Sequence, residues 1–391
     1  MIRAYAFLLR PTARQAAALA ACVEDHRQLY NAALAERREA YRRSRVSVRY
    51  GDQSAQLKDI RRADPDQGRW SFSSQQATLR RLDKAFAAFF GRVKAGQTPG
   101  YPRFKGAGWF DTVQWPKDGD GCRWDSIPDS GQTRVYLQGV GHIRVHAHRK
   151  VDGRVKTISV KREGRRWYAV LACDDVPAEP LTATGSAVGI DMGVASFLTT
   201  NDGVQVGNPR HLAASADRLA QAQRALARRR RGSNRRCKAR AQVAALHAKV
   251  RRQRRDHAHK TALWLVRQHD VIAHEDLRIA NMTRSARGTI GAPGVNVAAK
   301  AGLNRSVLDA GWGMFLAILS AKAESAGRTI IAVDPRNTSR TCPRCGHCAK
   351  ENRVTQADFQ CVRCAYSAHS DVVGASNVLR AGLARQAATA T

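Results

Sequence analysis

Five of the nine cysteines lie between Ser339 and Asp371, and four of them form two Cys-x-x-Cys pairs, Cys342 with Cys345 and Cys361 with Cys364. Two thiolates on one tight turn can reach the same ion, and Zn²⁺ takes four ligands tetrahedrally, so paired turns at this spacing read as a Cys₄ zinc ribbon. A filled coordination shell leaves no position for substrate, which makes the expected zinc structural. His347 and Cys348 sit beside the first pair as spectators, while Cys22, Cys122, Cys173 and Cys237 are scattered and read as ordinary interior or surface residues. Three acids offer a different chemistry. Asp191, Glu275 and Asp371 each fall where a regular element begins or ends, the positions from which α/β folds project site residues. Two-metal phosphodiester hydrolysis needs carboxylates converging on Mg²⁺ ions about 3.5–4 Å apart. Hard oxygen ligands suit Mg²⁺ and thiolates do not, so zinc and the catalytic ions should occupy separate sites. Alone, each acid would be a solvated strand end or, for Asp371, a helix cap.

The charge of the chain gives those acids their weight. Its 391 residues carry 66 Lys+Arg against 32 Asp+Glu, a net charge of +34. Such a surplus repels itself in a compact state and points to a polyanionic partner. It is also uneven: the stretch from Arg224 to Lys260 holds 15 Lys or Arg and a single acid, Asp256. That segment is expected to face polyphosphate. No apolar run is long enough to span a bilayer, and MIRAYAFLLRPTARQ lacks the apolar core and cleavage site of a signal peptide. The paired cysteines therefore read as metal ligands in a reducing cytosol.

The elements that must position these residues follow from periodicity. Tyr5, Phe7 and Leu9 alternate as in a strand that Pro11 stops, and a helix follows from Thr12 with Leu19, Val23, Leu29, Tyr30 and Leu34 on one face. A second helix is expected from about Ser73 to Val93, its apolar stripe running from Leu79 to Phe89 and Phe90, until GYPRFKG breaks it. From about Trp109 to Pro177, short β-like runs with Gly and Asp turns suggest a small barrel or sandwich, which the first strand could join. EPLTATGSA (179–187) reads as a linker. Beyond it, AVGIDMGVASFLTTNDGVQV reads as a strand ending at Asp191 and a hairpin, the opening of an RNase H-type fold. A strand stopping at Glu275, a helix over 312–326, the strand RTIIAVDP and a terminal helix from SDVVGASNVL make 186–391 an α/β domain.

These residues resemble, in order and over nearly the whole chain, the TnpB (OrfB-type) RNA-guided nucleases of bacterial transposons, relatives of the type V CRISPR effectors. AYAFLLRPTARQAAALA with LYNAAL is similar to the family's opening, QATLRRLDKAFAAFF and GYPRFKG to its next signature, and GHIRVHAHR with WYAV to its barrel. GIDMGVASFLT, HEDL and SDVVGASNVL resemble its three RuvC motifs, and NTSRTCPRCG with CVRC its zinc ribbon. The third motif departs at Val373, where the family carries Asn. The resemblance implies a multidomain protein: a wedge-like β-barrel domain (1–11 and 108–180), an inserted helical recognition domain (12–107), and an RNase H-like (RuvC) α/β nuclease domain (186–391) with the ribbon inserted at 337–368. It implies catalysis by Asp191, Glu275 and Asp371 with two Mg²⁺, and one structural Zn²⁺ on Cys342, Cys345, Cys361 and Cys364. The implied partners are a guide RNA from the transposon end and double-stranded target DNA, in the bacterial cytoplasm at the nucleoid. Base pairing would read sequence while a positive channel reads helix shape; Arg80, Arg81, Arg103 and Arg228, Arg229, Arg230 and Arg231 are the candidate backbone contacts. Two other readings stay open, a nuclease-inactive RNA-guided repressor and a guide-independent recombinase or resolvase.

Overall fold

Tyr5, Phe7 and Leu9 are buried along strand β1 (Arg3–Arg10), as their alternation requires. The computed structural model describes residues 1–390 and divides into two units, one ending at Pro177 and the other beginning at Ala178. In the first unit, Thr12 caps helix α1 (Ala13–Ser44): its hydroxyl accepts from the Gln15 amide while the Gln15 side chain accepts from the Thr12 amide. Helices α2 (Tyr50–Ala63), α3 (Pro65–Gly68) and α4 (Phe72–Lys94) follow. The chain then lays down β2 (Thr112–Trp115), β3 (Cys122–Trp124), β4 (Arg134–Leu137), β5 (Gly141–His146), β6 (Arg154–Glu163) and β7 (Arg166–Asp174). These join β1 in one antiparallel sheet ordered β2-β6-β7-β1-β5-β4-β3, with β1 at its centre. The helices thus interrupt the sheet in sequence between β1 and its neighbours. They share its core, in which Leu19, Leu34, Trp70 and Leu79 cluster with Phe7, Trp115, Val135 and Leu171.

The second unit starts with a strap rather than a free linker. Glu179 and Leu181 donate backbone bonds to Ser325 and Ala326 at 2.8 and 3.0 Å. The Asp270 carboxylate accepts from the Thr184 and Gly185 amides. Next come β8 (Ala187–Asp191), β9 (Ser196–Thr200), β10 (Gln205–Gly207), α5 (Ala216–Ala227) and the 35-residue basic helix α6 (Asn234–Gln268). Then follow β11 (Val271–Glu275), α7 (Ile279–Met282), α8 (Val297–Ala310), α9 (Trp312–Ala326), β12 (Thr329–Val333), a β13 (Asp358–Gln360) and β14 (Ser367–His369) hairpin, and α10 (Ser370–Ala390). The five-stranded sheet runs β10-β9-β8-β11-β12, with β8, β11 and β12 mutually parallel. Alternation sends Val188, Ile190 and Ile272 to a core with Leu265 of α6 and Phe315 and Leu319 of α9. Ala273, on the opposite face, packs with Val378 of α10.

α10 can lie so close only because Gly189 has no side chain. A Cβ there would stand 2.1 Å from the Ala375 carbonyl oxygen and 2.7 Å from the Leu379 amide, both backbone atoms that cannot swing away. Gly189→Ala is therefore expected to lower stability by about 1–3 kcal/mol through overpacking. Thermal unfolding would read this as a drop in Tm; an unchanged Tm would mean that α10 does not pack against β8 as described.

Candidate metal centre and acidic site

Both Cys-x-x-Cys segments fold into the same knuckle. Cys342 and Cys361 each accept a backbone bond from the residue four positions on, Gly346 and Ala365, at 2.9 Å. Each of those two residues adopts positive φ, 73° at Gly346 and 56° at Ala365. The knuckles bring Cys342 Sγ to 3.6 Å from Cys364 Sγ, and Cys345 Sγ to 3.6 Å from Cys361 Sγ. All four sulfurs lie within 4.8 Å of one another. Tetrahedral ligation at a Zn–S distance of about 2.3 Å sets sulfurs about 3.8 Å apart, so the cage fits zinc. Its electrostatics fit as well. Although burial opposes it, the amides of Cys364 and Arg363 bring the Cys361 thiol down to about 6. Cys364, despite the Tyr366 amide beside it, is pushed up to about 12 by burial and the neighbouring sulfurs. Four thiolates cannot crowd together without a cation. Cys348 is exposed and stands outside the group, as does His347; Cys22, Cys122 and Cys173 are buried elsewhere, and Cys237 is exposed.

The fold brings the three acids into one field. Asp191 ends β8 and Glu275 ends the adjacent parallel strand β11, where Ile190 stands opposite His274. Asp371 occupies the first turn of α10, which crosses β8. Burial, then the charges of Glu275 and Asp371, push Asp191 from its ordinary 3.8 up to about 7, against the pull of Arg353. Burial also raises Glu275, opposed by a hydrogen bond from Thr338, whose Oγ1 lies 2.6 Å from Glu275 Oε1. Among the described residues, neither Asp191 nor Glu275 is paired with a lysine or arginine, and Asp371 meets only His369, at 3.9 Å. A half-buried carboxylate raised by burial and by two neighbouring acids, as Asp191 is, suits a divalent cation. Among the described residues the four cysteines are the one group of three or more His, Cys, Asp or Glu whose ligand atoms close to within 4.8 Å. Asp191, Glu275 and Asp371 do not form such a group. Gly374 is the close neighbour: a Cβ there would stand 2.9 Å from Asp191 Oδ2. Val373 is buried in the ribbon's small cluster with Cys342, Phe359 and Cys361.

The basic candidates divide between the units: Arg80, Arg81 and Arg103 in the first, Arg228 to Arg231 in the second, all exposed. Arg228–Arg231 fall in the turn between α5 and α6, where the Arg228 and Arg229 amides still donate to the Arg224 and Leu226 carbonyls at the end of α5. Arg80 stacks over Tyr50 at 5.3 Å. Arg81, also exposed, stacks over Phe110 at 4.8 Å and donates to the Thr112 carbonyl at 3.3 Å. Sequence reading passed over an aromatic surface close by. Phe90, Tyr101, Phe104 and Trp109 are 60%, 44%, 48% and 81% exposed, in a stretch from Lys84 to Phe110 that holds no acid. The interleaving of rings and cations in GYPRFKG was the signal available.

Comparisons with known proteins bear on the whole chain. Residues 158–286 match the family model OrfB_IS605, described as "Probable transposase", and residues 312–378 the model "Cas12f1-like, TNB domain". Residues 1–45 match a helix-turn-helix domain model, although here they form β1 and one continuous helix, α1. "Putative RNA-guided DNA endonuclease InsQ" of Escherichia coli K12 is 34% identical over 383 residues, spanning 97% of this chain and 92% of that protein. A relative from Streptomyces pristinaespiralis with the same activity in its name is 30% identical over 390 residues, spanning 98% and 90%. Among solved structures, the mini-RNA-guided endonuclease CRISPR-Cas_phi3 aligns over 98% of this chain and 92% of its own at a TM-score of 0.50. At 10% identity that likeness is one of fold.

Proposed function

The chain belongs to the OrfB (TnpB-type) family of RNA-guided DNA endonucleases, and from that premise we propose that it cuts DNA complementary to a bound guide RNA with Asp191, Glu275 and Asp371 as its catalytic acids. The observation that carries the proposal is that Asp191 on β8 feels the charges of Glu275 on β11 and Asp371 on α10, acids far apart in sequence. On this reading the second unit is a RuvC-like nuclease with an inserted ribbon. The seven-stranded sheet and its helices correspond to the wedge-like barrel (1–11 and 108–180) and recognition domain (12–107). The three acids would hold two Mg²⁺, which would supply an attacking hydroxide and charge for the departing 3′ oxygen.

The chain's own residues do the rest. The parallel register of β8 and β11 delivers Asp191 and Glu275 from the same sheet end. Gly374 lets α10 bring Asp371 against them, and Arg353 sets a positive charge near Asp191. α6 and Arg228–Arg231 offer the positive surface for a guide derived from the transposon end and for its target. Val373, where the family carries Asn, is absorbed by the ribbon core, and all three acids are present.

Purification from cells that carry the flanking locus tests this directly. The protein is expected to copurify with RNA from that locus and to cut a plasmid matched to it in Mg²⁺. Absence of RNA would favour a guide-independent recombinase, and RNA without cutting an inactive binder.

A further inference from the structure

We propose that Thr338 is the positioning residue that fixes Glu275 for metal binding, and that Asn377 locks Thr338 to the helix carrying Asp371. The inference rests on the reading of those two acids as metal ligands. Thr338 is buried, eight residues or fewer from every residue of the first zinc knuckle, and its hydroxyl lies 2.6 Å from Glu275 Oε1. That separation falls in the charge-assisted range for a hydroxyl donating to a carboxylate. The same hydroxyl stands 3.0 Å from the Pro335 carbonyl. With one proton to donate, it faces two acceptors, and the carboxylate is the nearer. A glutamate reaches its ligand position through three rotatable bonds, and engaging one oxygen removes much of that freedom before any ion arrives.

Thr338 is itself held. Asn377 Nδ2 donates to the Thr338 and Thr341 carbonyl oxygens, each at 2.7 Å. Asn377 is buried and lies on α10, less than two turns beyond Asp371. Thr341 precedes Cys342, the first sulfur of the cage. A chain of three hydrogen bonds therefore joins the end of β11, the entry to the ribbon and the helix of the third acid. Thr338 would otherwise be a simple turn residue, satisfied by Pro335, and that reading assigns no consequence to its hydroxyl beyond stability.

The isosteric Thr338→Val removes the hydroxyl and keeps the shape, while Thr338→Ser keeps the hydroxyl. In the guide-loaded protein, Thr338→Val is expected to raise the Mg²⁺ concentration for half-maximal cleavage about 10–100-fold, the usual range for losing a group behind a metal ligand. Zinc content and target-DNA binding should not change. Thr338→Ser should stay within about threefold of the parent, well short of that range. A second readout needs no cleavage: Mn²⁺ alone should raise the Tm of the RNA-free parent and of Thr338→Ser, and raise that of Thr338→Val less, with Asp191→Asn defining the shift that remains without the Asp191 carboxylate. A parental Mg²⁺ requirement and Mn²⁺ shift in Thr338→Val would overturn the proposal, and so would equal damage in Thr338→Ser, which would place the effect in methyl packing. Should Thr338→Val lose its zinc, Thr338→Ala decides by the same thresholds. If Asp191→Asn still cuts DNA, the assignment of the acids fails whatever Thr338 does; if it is dead and Thr338→Val is normal, only the role of Thr338 fails.

Discussion

Asp191→Asn should yield a protein that keeps its guide and target but no longer cuts, and that is more stable than its parent when Mg²⁺ is withheld. The first half follows from charge. An amide offers one neutral oxygen where the site needs an anion, and metal stabilisation of the transition state is worth several kcal/mol, so cleavage should fall at least about 1,000-fold. The second half follows from the same burial. Asp191 sits among Glu275 and Asp371 with its pKa raised from 3.8 to about 7. Between those values the folded protein keeps a proton that the unfolded chain has released. The folded state binds more protons there, so stability falls as pH rises through the window and levels off above it. Each pKa unit is worth about 1.4 kcal/mol, so the substitution should gain a few kcal/mol above pH 7, with the gain shrinking toward pH 4. Cleavage assays and thermal unfolding, with zinc retained and no Mg²⁺ in the melts, check both halves. Residual cutting would remove Asp191 from the site; equal stability at pH 8 would mean that its carboxylate is not strained by its neighbours.

Features that could be read from the sequence are those whose cause is local. Thr12 and Gln15 announce a helix start three residues apart, and the Cys-x-x-Cys turns announce a metal because each is a complete geometric unit. Asp191 and Glu275 were visible as polar ends of buried strands. Helix α2 was not, because it buries only Gln53 and Leu57 and so carries no apolar stripe. α8 was missed for a related reason: its inward positions include Asp309, paired with Arg254 at 2.6 Å, where a stripe would show an apolar residue. The apolar stripe of α4 was legible but its cover was not, and Phe90 at its far end is exposed. Long-range partners leave no local trace. Thr338 meets Glu275 across 63 residues and Asn377 meets Thr338 across 39. Val373 reads as a lost asparagine in a motif, yet in space it fills the ribbon's core while Asn377, one turn on, supplies an amide to the same ribbon. The segment at 179–187 has a linker's composition, and only distant acceptors turn it into a strap.

Replacing Cys361 and Cys364 with Ser is the second change expected to have a large effect, and it should act on cleavage through the fold. The ribbon buries little besides Cys342, Phe359, Cys361, Val373 and the cross-bracing Asn352. Asn352 donates to the Arg340 and His347 carbonyl oxygens, and its own oxygen accepts from the Val362 amide. Modules below about 40 residues seldom fold on such a core without a metal or disulfides. Structural Zn²⁺ supplies about 10–16 kcal/mol in comparable peptides, and a neutral serine cannot replace a thiolate. The double variant should therefore fall from one zinc per chain to near none and become cleavable by protease between the knuckles. The sheet core around Ile190, Phe197 and Phe315 shares no residue with the ribbon, so the main unfolding transition should survive. Without an ordered ribbon entry, Thr338 no longer grips Glu275 and Asn377 loses its two acceptors, so DNA cleavage should drop at least about 100-fold. In the parent, zinc uptake by the metal-free protein should weaken as pH falls, because protons compete for the thiolates, and more steeply below about 6, where Cys361 is protonated as well as Cys364. Metal analysis, limited proteolysis and cleavage rates on the same preparations separate the steps. A double variant that loses its zinc yet cuts at the parental rate would show that the ribbon does not brace the acids.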